Sequence, residues 1–233
     1  MSDSTKPGIR PWLHYVLEFV VILLGITVSV SLEKQNAREY KQELKNQSLS
    51  RILENLRYDD AEFEINMEVH DLAAASCQWI FDHRREAAEL DPDSLGHHCS
   101  ICLDGQTIFV DNPEEYKGLR NSGLIELIED SALVRRLQEK YIHHGYLHTL
   151  EDYNAEIVAP VRPLLYSHMT LPENAEDALD FITLRQWNGT PLPPSFFEFA
   201  QDASEWHLAY YWALEEQVEA DAELRHLIAQ ELQ

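Results

Sequence analysis

Glycine, proline and cysteine are all scarce in this chain: eight glycines, ten prolines and three cysteines in 233 residues. With glycine so sparse, there is no phosphate-cradling loop, no dinucleotide fingerprint and no Gly-x-Ser-x-Gly nucleophile elbow. No repeat of roughly 20 to 50 residues and no low-complexity tract is present, which sets solenoids aside. Basic residues are short too, with 18 Lys and Arg against 41 Asp and Glu and a formal charge of −23. The imbalance is local. Residues 1–60 carry eight basic and eight acidic side chains, whereas residues 61–233 carry ten and 33. A surface that negative repels phosphate backbones, so nucleic acid is not an expected partner. Basic proteins or cations suit it better, and a solvated acidic face that aids solubility explains the same composition.

Apolar surface is plentiful, at 45% of the chain with 10% aromatics, enough for one core beside an anchor at this length. Residues 15–32 carry a single charge, Glu18. With the preceding residues from Pro11 they extend as a helix of roughly 33 Å, sufficient to cross a hydrocarbon core of about 30 Å. Trp12 and Tyr15 fall where an interfacial aromatic belt lies. The expected layout is a tail at 1–11, a transmembrane helix at 12–32, a helical stalk at 33–60 and an acidic all-α soluble domain at 61–233. A cleaved signal peptide is the competing reading, because Lys6 and Arg10 precede the run and Ser29-Val30-Ser31 offers small residues for a peptidase. The run is longer than the usual apolar region of about 7 to 15 residues, which favours an uncleaved anchor.

Within the span, Glu18, Ile22, Gly25, Ser29, Leu32 and then Asn36 recur at steps of three and four, forming one stripe with a carboxyl and two small residues. Small residues let helix backbones approach, and a polar group facing a neighbour avoids lipid. One reading is a helix-packing face of a homo-oligomer with Glu18 bonded between chains. The other is a carboxylate snorkelling at the membrane edge. Counting charges does not fix the orientation: Lys6 and Arg10 stand on one side, Lys34, Arg38, Lys41 and Lys45 on the other, the latter interleaved with Glu33, Glu39 and Glu43.

Two blocks carry a resemblance. Residues 15–29, Tyr-Val-Leu-Glu-Phe-Val-Val-Ile-Leu-Leu-Gly-Ile-Thr-Val-Ser, followed by the charged segment 33–39, look like the start of a bacterial family of uncharacterised single-pass membrane proteins, the DUF6090 type. Residues 115–125, Glu-Tyr-Lys-Gly-Leu-Arg-Asn-Ser-Gly-Leu-Ile, with Leu127 and Ile128, resemble the same family. The resemblance implies an N-terminal anchor in the bacterial inner membrane and no assigned activity. Many such proteins have a strongly basic tail, which implies tail inside and bulk in the periplasm. This chain departs from that with only Lys6 and Arg10.

No Pro or Gly occurs from residue 26 to residue 91. Leu44, Leu49, Ile52, Leu53 and Leu56 recur at helical spacing, so a long helix is expected to leave the bilayer, with a break near Tyr58-Asp59-Asp60 where an Asp caps a second helix running to about Leu90. Asp91-Pro92-Asp93-Ser94 and Gly96 mark a loop continuing to Asp111, with an isolated strand at 107–110. Asn112 reads as an N-cap with Pro113 at the first helical position, Gly123 ends that piece, and Asp130-Ser131 starts a helix reaching about Val158 through Leu133, Val134, Leu137, Tyr141, Tyr146 and Leu150. Residues 174–186 form a shorter helical candidate, and a last helix spans about 203–232. The class is all-α, a helical bundle.

The most distinctive polar group is His97-His98-Cys99-Ser100-Ile101-Cys102. Thiolate and imidazole suit zinc, yet a structural zinc site usually has a second cysteine pair and Cys77 is the only other thiol. One disulfide with a leftover thiol, or a redox dithiol, are the alternatives. His144 and His148 are four apart and could chelate an ion from one helix face, but Gly145 stands where a metalloprotease carries Glu. Adjacent carboxylates such as Asp59-Asp60 point different ways on a helix and predict no acid and base pair. With no catalytic constellation, the expected role is a membrane-anchored interaction or scaffold protein, and the sequence assigns no enzymatic activity while leaving an enzyme of unfamiliar type open. Its expected partners are membrane lipid, further copies of itself or another envelope protein. The alternative is a metal-binding or thiol-redox envelope protein using the His-His-Cys-x-x-Cys segment.

Overall fold

The computed structural model describes residues 11–171 and 184–233. Helix α1 runs unbroken over Pro11–Asp82, 72 residues or roughly 108 Å at 1.5 Å per residue. Then come α2 (Pro92–Asp104), α3 (Glu114–Asn121), a 3-10 turn (Leu124–Leu127), α4 (Ser131–Val158), α5 (Val161–Tyr166), a two-residue ribbon of β1 (Met169–Thr170) and β2 (Gln186–Trp187), and α6 (Pro194–Glu231). The ribbon is antiparallel, with Met169 opposite Trp187 and Thr170 opposite Gln186. The all-α expectation holds.

The N-terminal part of α1 touches nothing else among the described residues. Its side chains from Trp12 through Lys41 are exposed, and it contains a window of mean hydropathy 2.2 with no buried residue. It is one helix long and apolar enough to cross a membrane. Packing begins at Leu44 and Lys45 and continues to Ile80, so half of the expected stalk belongs to the core.

Three long helices build that core, and each buries a stripe that advances by alternating steps of four and three. On α1 it reads Lys45, Leu49, Ile52, Leu56, Asp59, Phe63, Asn66, His70, Ala73, Cys77 and Ile80. On α4 it reads Leu133, Leu137, Lys140, His144 and Leu147, and on α6 Phe196, Ala200, Ala203, His207, Tyr210, Leu214, Gln217, Asp221, Leu224 and Ile228. A repeat of about 3.5 residues is the one that keeps two helices in register along a shared seam. One cluster joins Leu49, Ile52 and Leu56 to Leu133, Leu137, Leu224 and Ile228; a second joins Phe63 to Leu147, Tyr210 and Leu214; a third joins Cys77 and Ile80 to Val158, Phe196 and Ala203. Hence α4 runs with α1, and α6 runs against both. Each fully buried Leu or Ile contributes about 1.5–3 kcal/mol.

Several expectations fail, each for a local reason. There is no break at 58–60: Asp59 faces Lys140 at 2.8 Å and Asp60 pairs with Arg225, so both carboxylates are answered by other helices instead of capping a new one. α1 then ends at Asp82, not near Leu90, and turns fill 83–89. Residues 92–104 are helix, not loop. Asp91 accepts hydrogen bonds from Ser94 N at 2.9 Å and Ser94 Oγ at 3.0 Å, and Pro92 occupies the first helical turn, a regular helix start. Gly96 lies inside this helix because a Cβ there would stand 2.1 Å from Arg185 O and 2.7 Å from Trp187 N, where the ribbon backbone crosses.

Residues 107–110 form no strand; they run as extended chain beside α1, with Val110 N donating to Glu62 Oε2. The α3 cap falls on Pro113, one residue after Asn112. α6 starts at Pro194, nine residues ahead of the expected point. Gly123 takes φ 73°, a left-handed conformation suited to glycine, and ends α3 as expected. Asp130 caps α4 through Ala132 N at 2.8 Å, also as expected. Of the helix expected at 174–186, residues 174–183 lie outside the described residues, and Gln186 begins β2.

Candidate functional site

The stripe of Glu18, Ile22, Gly25, Ser29 and Leu32 lies on the free part of α1, every member exposed. A Cβ at Gly25 would meet nothing within 4 Å. The fold itself therefore gives this face no partner among the described residues.

The cysteine segment is arranged differently from a chelating loop. Cys102 pairs with Cys77 in a disulfide, Cα atoms 5.0 Å apart, tying α2 to α1. Cys99, one helical turn before Cys102, is a free thiol buried in the same core cluster, and burial pushes its pKa up. His98 stacks on Trp79 with centroids 4.1 Å apart and meets Ser76 Oγ through Nδ1 at 3.3 Å. Burial first, then the neighbouring His97 and His83, lower its pKa to about 4. His97, His98, Cys99 and Cys102 thus spread around α2 instead of converging. Among the described residues, no group of three or more His, Cys, Asp or Glu is placed to hold a metal ion.

His144 and His148 do share a face, and they share it with a residue from the extended segment. Asp111 Oδ2 lies 3.3 Å from His144 Nδ1, and Asp111 Oδ1 lies 3.4 Å from His148 Nε2. His148 Nδ1 meets Glu151 Oε2 at 2.9 Å. Burial above all, with Lys140 next, lowers the pKa of His144 to about 2, so its ring is neutral. For His148, partial burial opposes charging, but the hydrogen bonds to Glu151 and Asp111 outweigh it and raise the pKa. Glu151 also accepts from Phe109 N at 2.7 Å and from Tyr210 Oη at 2.5 Å. One carboxylate thereby fastens the extended segment, α4 and α6 together.

Two further polar groups sit in the core stripes and were not anticipated. Lys140 Nζ donates to Asp59 Oδ2 at 2.8 Å and Asp221 Oδ2 at 2.7 Å, joining all three long helices. His70 Nδ1 and His207 Nδ1 are 2.8 Å apart, which requires a proton on one and a lone pair on the other; His70 Nε2 meets Thr107 Oγ1 at 3.0 Å. Burial keeps both rings neutral, lowering His207 to about 3. The available signal was a polar residue at a core step, as in Leu133, Leu137, Lys140, His144, Leu147, but a search for apolar stripes alone follows Tyr141 and Tyr146 instead, of which Tyr146 is half exposed.

A cavity of about 450 Å³ opens where residues 104–108, α4, α5 and α6 meet, lined among others by Thr107, His148, Glu151, Asn154, Arg162 and Trp206. The His207–His70–Thr107 chain and the Tyr210–Glu151–His148 chain both end on its wall.

Comparison with family models, with curated proteins and with solved structures finds no match to this chain. The arrangement of its own residues is therefore what bears on function.

Proposed function

We propose that this protein is a membrane-anchored interaction or scaffold protein of the bacterial inner membrane, holding a helical bundle with an acidic surface on the periplasmic side. The observation that carries the reading is α1 itself. One helix supplies both a wholly exposed apolar end at 12–32 and a packed end at 44–80, with no Pro or Gly between Gly25 and Pro92 to act as a hinge. About 11 exposed or half-exposed residues, roughly 17 Å of helix, separate the apolar run from the first packed layer. Such a rod fixes both the height of the bundle above a bilayer and its rotation about α1.

Three observations support the finer parts. The Cys77–Cys102 bond belongs to an oxidising space, which favours a periplasmic bundle. The resemblance of residues 15–29 and 115–125 to single-pass proteins of the DUF6090 type points the same way. The Glu18, Gly25 and Ser29 stripe has no partner among the described residues, and assembly of a second copy along it would keep the carboxyl away from lipid.

Alkaline carbonate extraction tests the anchor: the full chain stays with the membrane, and release into the supernatant removes the proposal. Protease added to spheroplasts degrades the bundle if it is periplasmic and spares it if it is cytoplasmic. Cross-linking in detergent tests the stripe. Gly25→Leu together with Glu18→Leu abolishes the cross-linked species, and retention of the same species by the double variant refutes that interface.

A further inference from the structure

We propose that the outer face of α1 between α3 and α2 docks a basic amphipathic helix of another protein. The inference deepens the interaction reading above by naming a surface and the chemistry of its partner, and it rests on the anchor only for how two copies would meet.

Spacing is the first observation. Tyr58, Ala61, Ile65, Glu68 and Leu72 are all exposed and advance by steps of three and four. The core stripe of the same helix follows that repeat, so positions seven apart stay in line along α1. Tyr58, Ile65 and Leu72 form such a line, 66%, 57% and 37% exposed. The extended segment borders it: Val110 N donates to Glu62 Oε2 at 3.1 Å, with the Val110 residue 67% exposed. Single exposed apolar residues are ordinary on a surface. Three in line on one unbroken helix are the pattern that a second amphipathic helix reads.

The two ends of the line are the second observation. Seven residues before Tyr58, Arg51 pairs with Glu115 of α3 at 3.1 Å; seven after Leu72, Trp79 stacks on His98 of α2 with centroids 4.1 Å apart. Helices of this chain therefore already lie over both ends, whereas the non-helical stretch 105–113 borders the middle. From Glu54 to Ala75 the exposed seam is roughly 30 Å long, the length of a helix of about 20 residues.

Charge selects the occupant. Glu54, Glu62, Glu64, Glu68 and Asp71 surround the line, against Arg57 alone. Two copies anchored in one membrane stand parallel, and parallel pairing along this seam sets Glu68 against its own counterpart, a like-charge contact that disfavours a second copy. Residues 172–183 of the chain carry four acidic and no basic side chains, which is the wrong sign as well. A helix of another protein with Lys or Arg opposite Glu54 and Glu68, and apolar residues over Tyr58, Ile65 and Leu72, satisfies both the charge and the apolar surface.

Fluorescence anisotropy on the detergent-solubilised full chain tests the proposal with two labelled peptides of about three heptads. One has Leu at its seam positions and Lys on its flanks; the other has Glu in place of every Lys. The Lys peptide is expected to bind saturably and the Glu peptide not at all. Ile65→Asp weakens the Lys peptide about tenfold through lost apolar contact, and Glu68→Lys weakens it about tenfold through charge. Glu219→Lys makes the same charge change on the exposed side of α6 and leaves binding as it was. All three positions are exposed, so the core stays intact, which a circular-dichroism melt checks. A photo-reactive side chain in place of Ile65, activated in native membranes, is expected to give no cross-link between two copies of this chain. Carbonate extraction of Ile65→Asp reads the anchor separately, so a failed anchor is told apart from a failed seam. No saturable binding of the Lys peptide, equal binding of both peptides, binding unchanged by Ile65→Asp and Glu68→Lys, an equal loss in Glu219→Lys, or a self cross-link at position 65 overturns the proposal.

Discussion

Replacing Lys140 by methionine tests the core at its most polar layer. Lys140 Nζ lies 2.8 Å from Asp59 and 2.7 Å from Asp221, with side chains 2%, 8% and 0% exposed. Methionine keeps the length and the apolar stem but removes the charge, leaving two carboxylates in the core without a cation. Breaking a buried pair in this way costs about 3–5 kcal/mol. By contrast, the exposed Arg51–Glu115 pair, with side chains 62% and 26% exposed, contributes about 0–1 kcal/mol. In a folded unit of this size 1 kcal/mol moves Tm by about 2–4 °C, so Lys140→Met lowers Tm by roughly 6–20 °C at neutral pH.

The pH dependence gives the argument a sign. Burial raises the folded pKa of Asp59 and Asp221 above 3.8, although Lys140 pulls both down. A raised folded pKa means that protonation favours the fold. That contribution is fully present below the unfolded value and is lost as pH climbs through the folded one. Without Lys140 the folded values rise further, so the variant's deficit is largest at neutral pH and shrinks as pH falls toward the unfolded carboxylate value. Circular-dichroism melts of wild type and variant in detergent, at about pH 7 and about pH 5, measure both quantities. A loss below about 1 kcal/mol, or a deficit that does not change with pH, refutes the reading of Lys140 as a buried counter-ion.

Thiol titration of the denatured, non-reduced chain should find one reactive group and the reduced chain three, with Cys99 silent in the native state because it is buried and its pKa is raised; two or more thiols before reduction would contradict the Cys77–Cys102 bond. Cys77→Ser is expected to cost about 2–4 kcal/mol in urea unfolding, and no loss refutes a stabilising cross-link. Two glycines give opposite signs: Gly96→Ala forces a Cβ against Arg185 O and Trp187 N and destabilises by about 1–3 kcal/mol or more, whereas Gly145→Ala, with nothing within 4 Å, stabilises α4 by about 0.5–1 kcal/mol. Equal effects at the two positions would sink the packing of β2 on α2.

What could be read from the sequence was whatever depends on near neighbours. The apolar run at 12–32, the Asp130 cap and the turn at Gly123 each rest on a few adjacent residues, and each is where it was expected. Signals that mean two things locally were misread. Asp91-Pro92 marks a turn or a helix start, and Gly96 tips the sequence toward a turn; only the ribbon backbone lying on α2 explains that glycine. Asp59-Asp60 looks like a cap until Lys140 and Arg225, 81 and 165 residues away, are seen to answer the two carboxylates. The polar wall of the cavity was hidden for the same reason, because Asn154, Trp206 and Thr107 come from three separate stretches of chain.

The polar layers also explain why these helices pack in one register. A seam built from Leu and Ile alone presents nearly the same surface after a slip of one heptad, so apolar burial stabilises several alignments almost equally. Here a slip of seven residues along α1 brings Ile52 or Asn66 to the level of Lys140 in place of Asp59, and Phe63 or Cys77 to the level of His207 in place of His70. Either slip separates Asp59 from Lys140, leaving a buried carboxylate without its counter-ion while Asp221 alone faces the ammonium, and sets an imidazole nitrogen of His207 beside a side chain that cannot bond to it. Both mismatches cost more than the loss of one apolar contact. The layers of Asp59, Lys140 and Asp221 and of His70 and His207 thus select the alignment that also brings Thr107, Glu151 and Trp206 to a common wall. In this bundle the cavity is positioned by the same buried polar groups that fix the register.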